Sequence, residues 1–374
     1  MSRHPGRLRR LYRALVVLAL TAAVGAPGTV AFGQSLHHHP GSRLRPWVKS
    51  CVQHRGPAGL VGCLASKHPQ AGGSQPRLLT PTISELATPT ANSAPVGITA
   101  GPDSALWFTE NSADAIGRVT TGGTFTEYSV PTTNAGPAGI VTGPDGALWF
   151  TESNVDKIGR ITTGGTFTEY ALPTSGAYPW GITVGSDGAL WFAEPGANNI
   201  GQITTGGTVT EYAVPTYGAY PLSITAGSDG ALWFTEVLSG SIGQITTGGT
   251  VTEYAVPSLA SLPIGITGGP DGNLWFTDAG AAQIGQVTTA GVFTAYNLTD
   301  ALFPFPWGIT TGPNGNLWFT ENASNDIGQI TTSGTISEVS IPTSGSNPLE
   351  IATGSDGNLW FTENSASQIG VVTP

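Results

Sequence analysis

Residues 190–194 are Leu-Trp-Phe-Ala-Glu, and the tripeptide Leu-Trp-Phe recurs seven times in this chain. The spacing between its tryptophans is 42 residues, except for one spacing of 43. The seven are Trp107, Trp149, Trp191, Trp233, Trp275, Trp318 and Trp360. A period in the forties with strand-like content is typical of a propeller, because a four-stranded blade buries both its faces only when neighbours stack on it.

One repeat contains four strand-like pieces, which we call A to D. Residues 179–183 (Pro-Trp-Gly-Ile-Thr) predict strand A, and 190–194 predict strand B. Residues 200–204 (Ile-Gly-Gln-Ile-Thr) and 208–215 (Thr-Val-Thr-Glu-Tyr-Ala-Val-Pro) predict strands C and D. All are rich in β-branched or aromatic residues and are separated by Gly, Pro and Asp. Strand B is apolar at consecutive positions, as expected for a strand covered on both faces.

The last repeat lacks a strand D, since the chain ends with the strand C residues 369–373. Residues 83–87 (Ile-Ser-Glu-Leu-Ala) match the D pattern and precede the first strand A. Pairing of these two segments would remove the exposed edges of an open array. The sequence therefore predicts an all-β, seven-bladed β-propeller of four-stranded antiparallel blades over residues 83–374, closed by an N-terminal D strand.

Residues 1–33 have the composition of a secretory signal peptide. Residues 1–13 contain five Arg and no acid, and residues 14–26 are mostly apolar but too short to span a bilayer. Residues 31–33 (Ala-Phe-Gly) are a candidate cleavage site, and the pair Arg9-Arg10 leaves twin-arginine export as an alternative. We expect a secreted or extracytoplasmic protein.

Residues 34–82 are predicted to form a basic, Pro- and Gly-rich flexible tail. The tail holds both cysteines, and the even count in an exported protein favours a disulfide between Cys51 and Cys63. Zinc binding by these cysteines with His54 and His68 is the alternative, although the spacing matches no common zinc module.

Charge is divided unevenly along the chain. All 24 acidic residues follow residue 82, where only Arg118, Lys157 and Arg160 oppose them. Such a propeller is a poor electrostatic partner for nucleic acid, so we expect no nucleic-acid binding. The basic tail either contacts anions of the cell envelope or is a solvated linker.

The repeats differ mainly in the D–A and B–C loops, which share one face of a propeller. The A–B and C–D turns vary little, and we interpret their Asp or Asn (Asp103 in the first repeat) as a turn residue. Loops on a rigid scaffold usually contain the functional residues, so a site is expected on the variable face. Aromatic residues concentrate there, and we assign ligand binding to Tyr178, Trp180, Tyr220, Phe305 and Trp307. Packing of these rings on neighbouring prolines is the alternative.

An acidic residue ends every strand B. The seven are Glu110, Glu152, Glu194, Glu236, Asp278, Glu321 and Glu363. Convergence on the propeller axis would favour a bound cation or raised pKa values. A hydrogen bond repeated between blades is the simpler explanation, and the metal interpretation stays open.

The combined blocks Pro-x-Gly-Ile-Thr, Gly-x-Asp-Gly-x-Leu-Trp-Phe-Thr-Glu, Ile-Gly-x-Ile-Thr and Thr-Glu-Tyr resemble those of the virginiamycin B lyase (streptogramin B lyase) family. The resemblance covers residues 83–374. It implies a seven-bladed propeller that opens a cyclic depsipeptide antibiotic by elimination, a resistance activity assisted by Mg²⁺ and a general base. It also implies catalytic histidines directly after the strand A proline of two late blades, and a glutamate at the end of a strand B.

This chain departs from the family pattern at the histidines. The matching residues of the last three blades are Ile264, Trp307 and Leu349, and all six histidines precede residue 69. The remaining catalytic candidates are Glu321 and Glu363, which are also the candidate Mg²⁺ ligands, and Glu350 on strand A of the last blade. Glu350 is either a substitute base or a solvated acid facing the channel.

We therefore expect an exported, monomeric propeller that binds a small molecule, cyclic peptide or glycan on its variable face, without the family's chemistry. A carbon–oxygen lyase with a non-histidine base is the first alternative. A structural module of the cell surface is the second.

Overall fold

The computed structural model describes residues 81–258, 260–298 and 304–374. The predicted signal peptide, the basic tail and the pair Cys51 and Cys63 lie outside the described residues. In the part of the chain that is described, no helix is long and apolar enough to cross a membrane.

The described residues form β-strands of three to six residues, numbered here in chain order. The strand β1 (Thr82–Ala87) comes first. Blades one and two comprise β2 (Pro95–Ala100), β3 (Leu106–Glu110), β4 (Ala115–Val119), β5 (Phe125–Ser129), β6 (Pro137–Thr142), β7 (Leu148–Glu152), β8 (Lys157–Ile161) and β9 (Phe167–Ala171). Blades three and four comprise β10 (Ile182–Val184), β11 (Leu190–Glu194), β12 (Asn199–Ile203), β13 (Val209–Ala213), β14 (Pro221–Ala226), β15 (Leu232–Glu236), β16 (Ser241–Ile245) and β17 (Val251–Ala255). Blades five to seven comprise β18 (Pro263–Gly268), β19 (Leu274–Asp278), β20 (Gln283–Val287), β21 (Phe293–Asn297), β22 (Pro306–Thr311), β23 (Leu317–Glu321), β24 (Asp326–Ile330), β25 (Ile336–Ser340), β26 (Pro348–Thr353), β27 (Leu359–Glu363) and β28 (Gln368–Thr373).

Each blade is a four-stranded antiparallel sheet, and the seven sheets form a closed ring. In six blades the strands follow chain order from A at the centre to D at the rim. The seventh has the order β1-β28-β27-β26, and β1 pairs antiparallel with β28 from Thr82 opposite Thr373 to Ala87 opposite Gln368. The predicted fold class and its closure by the N-terminal strand are confirmed.

Every strand B is buried along its whole length. In the first blade the Trp107 ring stacks on Tyr128 of strand D at 5.6 Å between centroids. The Phe108 ring lies directly on Gly117 of strand C, where any Cβ would overlap it. The Gly in Ile-Gly-x-Ile therefore leaves room for the aromatic residue of the neighbouring strand.

The A–B turns are held by the acid predicted to be a turn residue. Asp103 Oδ1 accepts hydrogen bonds from the Trp107 indole N–H at 2.9 Å and the Ala105 backbone N–H at 3.4 Å. Arg118 forms an ion pair with the same carboxylate at 2.6 Å. The turn thus satisfies the polar atom of a fully buried Trp.

A threonine hydroxyl links neighbouring blades near the axis. Thr109 Oγ1 accepts from the Gly97 N–H at 2.9 Å and donates at 2.7 Å to the carbonyl of Ala138 in the next blade. The same link closes the ring, since Thr362 Oγ1 donates at 2.8 Å to the Val96 carbonyl. One side chain therefore satisfies a strand A donor and holds the adjacent blade.

We expect β1 to be required for stability, whereas the segment before it is not. A variant lacking residues 1–80 should fold, while one lacking residues 1–90 exposes the edge of β28 and should melt on the order of 10 °C lower. Differential scanning calorimetry of both proteins makes the comparison. Equal melting temperatures would show that pairing of β1 with β28 contributes little.

Candidate functional site

The seven A strands surround a central cavity with a volume of about 140 Å³. Its wall is mostly aliphatic and glycine, because the repeated Gly-Ile pair of strand A faces the axis. Three larger or charged side chains interrupt this wall, namely Trp180, Trp307 and Glu350. The structure thus brings together three residues that lie in blades three, six and seven.

Trp307 and Glu350 are in contact across the boundary between blades six and seven. The side chain of Trp307 hydrogen-bonds the Glu350 carboxylate, which by itself lowers the pKa of that carboxyl. Burial has the larger effect and raises the pKa of Glu350 to about 7. Trp307 is only 5% exposed, and Phe305 packs on it with 6.1 Å between ring centroids.

Trp180 lies where the repeat is broken. Strand B of blade three has Ala193 in place of the linking threonine, so the Gly181 N–H donates directly to the Leu222 carbonyl at 3.0 Å. The Trp180 N–H donates to the Ala193 carbonyl at 2.9 Å. As a result β10 is three residues long, whereas the other A strands have six. Trp180 precedes this short strand and remains half-buried in the cavity wall.

Three other predicted ligand-binding residues precede the strand A proline and do not line the central cavity. Tyr178, Tyr220 and Phe305 have positive φ values of 50°, 60° and 52°. Tyr178 is 36% exposed, and Tyr220 is half-buried with its pKa raised by burial. The Phe305 ring packs on Trp307 and is 8% exposed, so it presents little surface to solvent.

Glu321 and Glu363 lie outside the central cavity. Both are at most 1% exposed, at the ends of β23 and β27. Burial, with the Ser324 hydrogen bond opposing it, raises the pKa of Glu321 to about 7. Burial, followed by the nearby charge of Glu85, raises the pKa of Glu363 to about 8. Neither carboxylate faces Glu350 across the cavity.

The same arrangement recurs in the other blades. Burial is the main cause of the raised pKa of each carboxyl, and repulsion from a strand D glutamate raises it further. The pKa is raised to about 7 for Glu110 and Glu236, and to about 8 for Glu152 and Glu194. The acids that end strand B are thus buried separately within their own blades. The strand D glutamate beside each of these carboxyls disfavours a second negative charge, so the glutamate that ends strand B keeps its proton up to about pH 7 or 8.

In five blades the strand D glutamate of this pair accepts hydrogen bonds from a threonine of a D–A connection. Glu127 accepts from the Thr90 N–H at 3.0 Å and from the Thr90 hydroxyl at 2.7 Å. Glu85 accepts from Thr343 in the same way, at 2.8 Å and 3.1 Å. Sequence analysis missed this clamp. Its signal was the pairing of Thr-Glu-Tyr with Val-Pro-Thr or Leu-Pro-Thr in three repeats.

Glu321 and Glu363 are a poor fit for Mg²⁺ in this arrangement. Among residues 81–374, as far as they are described, no group of three His, Cys, Asp or Glu could hold a metal ion. Mg²⁺ retains several water ligands, and full burial of these carboxylates leaves no room for them. Mg²⁺ stays a prediction from the family resemblance, and we derive no chemical step through it.

Comparison with known proteins identifies the same architecture elsewhere. The model of the virginiamycin B lyase family matches residues 81–304 and 302–374. A streptogramin B lyase structure is 40% identical, with a TM-score of 0.75, and the match covers 78% of this chain and 97% of that one. Virginiamycin B lyase from Staphylococcus aureus is 39% identical, with a TM-score of 0.76 and 79% and 100% coverage. A catalytically inactive histidine-to-alanine variant of that enzyme with quinupristin is 38% identical, at the same TM-score and coverage.

The raised pKa values predict a propeller that is more stable in mild acid. A folded-state pKa above the unfolded value of 4.5 means that the folded chain binds protons more tightly. This stabilisation is complete below pH 4.5 and is lost as pH rises through 7 to 8. We expect the melting temperature to fall by on the order of 5–10 °C from about pH 5.5 to about pH 8.5.

Calorimetry over this pH range, repeated on Glu194→Gln and Glu152→Gln, tests whether the buried carboxyls cause the pH dependence of the melting temperature. Each variant removes one buried proton site and should flatten the pH dependence. A wild-type profile that rises towards pH 8.5 would contradict the assignment.

Proposed function

This chain belongs to the virginiamycin B lyase family, and we propose that it uses the family's propeller to bind an organic ligand at the central cavity without opening a depsipeptide ring. The observation behind this proposal is that two indoles, one carboxyl and the Ser223 hydroxyl interrupt a cavity wall of aliphatic side chains and glycine. Aromatic faces next to a few polar groups are the usual composition of a small-molecule site.

The size of the cavity limits what enters it. A volume of about 140 Å³ is smaller than the roughly 300–1,000 Å³ of sites that enclose a whole drug-sized ligand. It is close to the roughly 150 Å³ of an engineered apolar cavity that binds benzene. We infer that one apolar or aromatic group of a cyclic peptide, glycan or other small molecule enters the cavity, while the rest lies on the variable loops around it.

The absence of histidine from residues 69–374 argues against the family's chemistry. The lyase variant from Staphylococcus aureus shows that replacing one histidine inactivates that enzyme. At the positions which the resemblance assigns to histidines, this chain has Trp307 and Leu349. Neither side chain can take a proton from the carbon next to a carbonyl, which elimination requires.

Glu350 supports a second candidate function, that of a carbon–oxygen lyase with a carboxylate base. Its pKa of about 7 is suited to a general base near neutral pH, and it lies in an apolar wall. The hydrogen bond from Trp307 would hold the carboxylate in place. This alternative needs a substrate whose acidic proton reaches Glu350 inside the cavity.

Ligand binding should depend on both indoles. Intrinsic fluorescence of the full chain, titrated with a panel of glycans and cyclic peptides that includes a streptogramin B, should change for at least one member. Loss of one aromatic contact, worth about 0.5–1.5 kcal/mol, should weaken that ligand several-fold in Trp180→Ala and Trp307→Ala. Val292→Ala is the control, because Val292 is 62% exposed on a C–D turn and does not line the cavity.

A wild type that binds no panel member would favour the structural-module alternative. So would Trp180→Ala and Trp307→Ala variants that bind as wild type does but melt much earlier.

We expect no lyase activity from the wild-type protein. Incubated with a streptogramin B and Mg²⁺, it should form the linear elimination product no faster than buffer, because residues 69–374 contain no histidine base. Chromatography coupled to mass spectrometry separates the linear isomer from the cyclic substrate. Turnover that Glu350→Gln abolishes and Glu236→Gln leaves intact would replace this proposal with the lyase alternative.

A further inference from the structure

Blade five departs from the carboxyl arrangement of its neighbours. Six blades have a glutamate on their outermost strand, and blade five has Ala295 at the corresponding place on β21. The six are Glu85, Glu127, Glu169, Glu211, Glu253 and Glu338. Blade five also has the shorter Asp278 where the other blades have a glutamate at the end of strand B.

The threonine clamp is changed at the same place. In blade four, Glu253 accepts from the N–H and the hydroxyl of Thr216, both at 3.0 Å. The corresponding residue for blade five is Ser258, whose hydroxyl donates to Gln283 Oε1 at 2.9 Å. The Ser258 backbone N–H has no hydrogen-bond partner among the described residues. In the other clamps a glutamate carboxylate accepts from the corresponding backbone N–H. The Ser258 N–H is therefore available to bind a carboxylate.

A cavity of about 40 Å³ lies where the missing side chain would be, and we call it the blade-five cavity. Its polar lining includes Ser258, Asp278 and Gln283, and the rings of Phe276 and Phe293 form its apolar side. Asp278 is 1% exposed. Its Oδ1 accepts from the Leu262 and Ala281 N–H groups at 2.8 Å and 3.2 Å.

The second oxygen of Asp278 gives the cavity a further polar group. Asp278 Oδ2 is buried and has no hydrogen-bond partner among the described residues. Burial raises the pKa of this carboxyl. Two carboxyls in one site share a proton more readily than both ionise, so an incoming carboxylate would be held beside Asp278 by one shared proton.

We propose that the blade-five cavity binds a short monocarboxylate of the size of acetate. A glutamate side chain exceeds that of alanine by one methylene and one carboxyl group, and acetate has the same heavy atoms. Its carboxylate would accept from the Ser258 N–H and share one proton with Asp278, and its methyl group would contact Phe276 and Phe293. Cavities left by a truncated side chain bind small molecules of the missing shape, as engineered apolar cavities do.

This site is independent of the central cavity, since the two share no lining residue. Acetate bound here would restore the hydrogen bonds that tie blade four to blade five. Among the described D–A connections, Ser258 is the one serine that replaces the clamped threonine. The bound monocarboxylate would stabilise the ring at this connection.

The first test is saturation-transfer difference NMR on the full chain with sodium acetate, followed by thermal unfolding in acetate against chloride at equal pH and ionic strength. We expect a signal from the acetate methyl protons and an increase in melting temperature on the order of 2–4 °C at saturation. Formate, which lacks the methyl group, and butyrate, which is too long, should both stabilise less. Equal effects of all four anions would overturn the proposal.

Two variants separate specific binding from a general salt effect. Ala295→Glu supplies the carboxylate covalently and should remove the acetate signal while raising the melting temperature in chloride. Glu253→Ala creates the same cavity in blade four, so its melting temperature should fall in chloride and recover in acetate by more than the wild type gains. Should Ala295→Glu fail to fold, the rescue of Glu253→Ala still decides, and no rescue would overturn the proposal.

Discussion

Burial of strand B on both faces is the constraint that orders this propeller. A single blade has apolar residues on both sides of its Leu-Trp-Phe segment and can cover them only with neighbouring blades. The threonine link between blades adds a polar bond to the same contact, and it joins blade seven to blade one. Since the ring must close for the last blade to be covered, β1 supplies the strand that the C-terminus does not.

The repeat made most of the fold predictable. Strand order, closure by residues 83–87 and the role of Asp103 all follow from local patterns that recur with a fixed period. The meeting of Trp180, Trp307 and Glu350 in one wall was also accessible, since all three lie on or next to strand A. Strand A is innermost in any propeller, so its residues face the axis.

Other features of the site depend on contacts that the repeat pattern does not indicate. The burial of Phe305 follows from its contact with Trp307, which the chain's composition does not indicate. The acids ending strand B recur with the same regularity whether they meet at the axis or stay within their blades. Their separation becomes visible only in the folded blade, where strand C lies between strands B and D. The short β10 results from the loss of one hydroxyl at Ala193, a change that looks conservative in the sequence.

The buried carboxyl pairs also change the electrical charge that the protein presents to its surroundings. The formal net charge of −10 counts every acid as ionised at pH 7. Glu152, Glu194 and Glu363, with pKa values of about 8, are largely neutral at that pH, so the folded protein is less negative than its composition. On an anion-exchange column the native propeller should therefore elute earlier than its unfolded chain. Retention should increase as the buffer pH passes through 8, because the same groups then ionise.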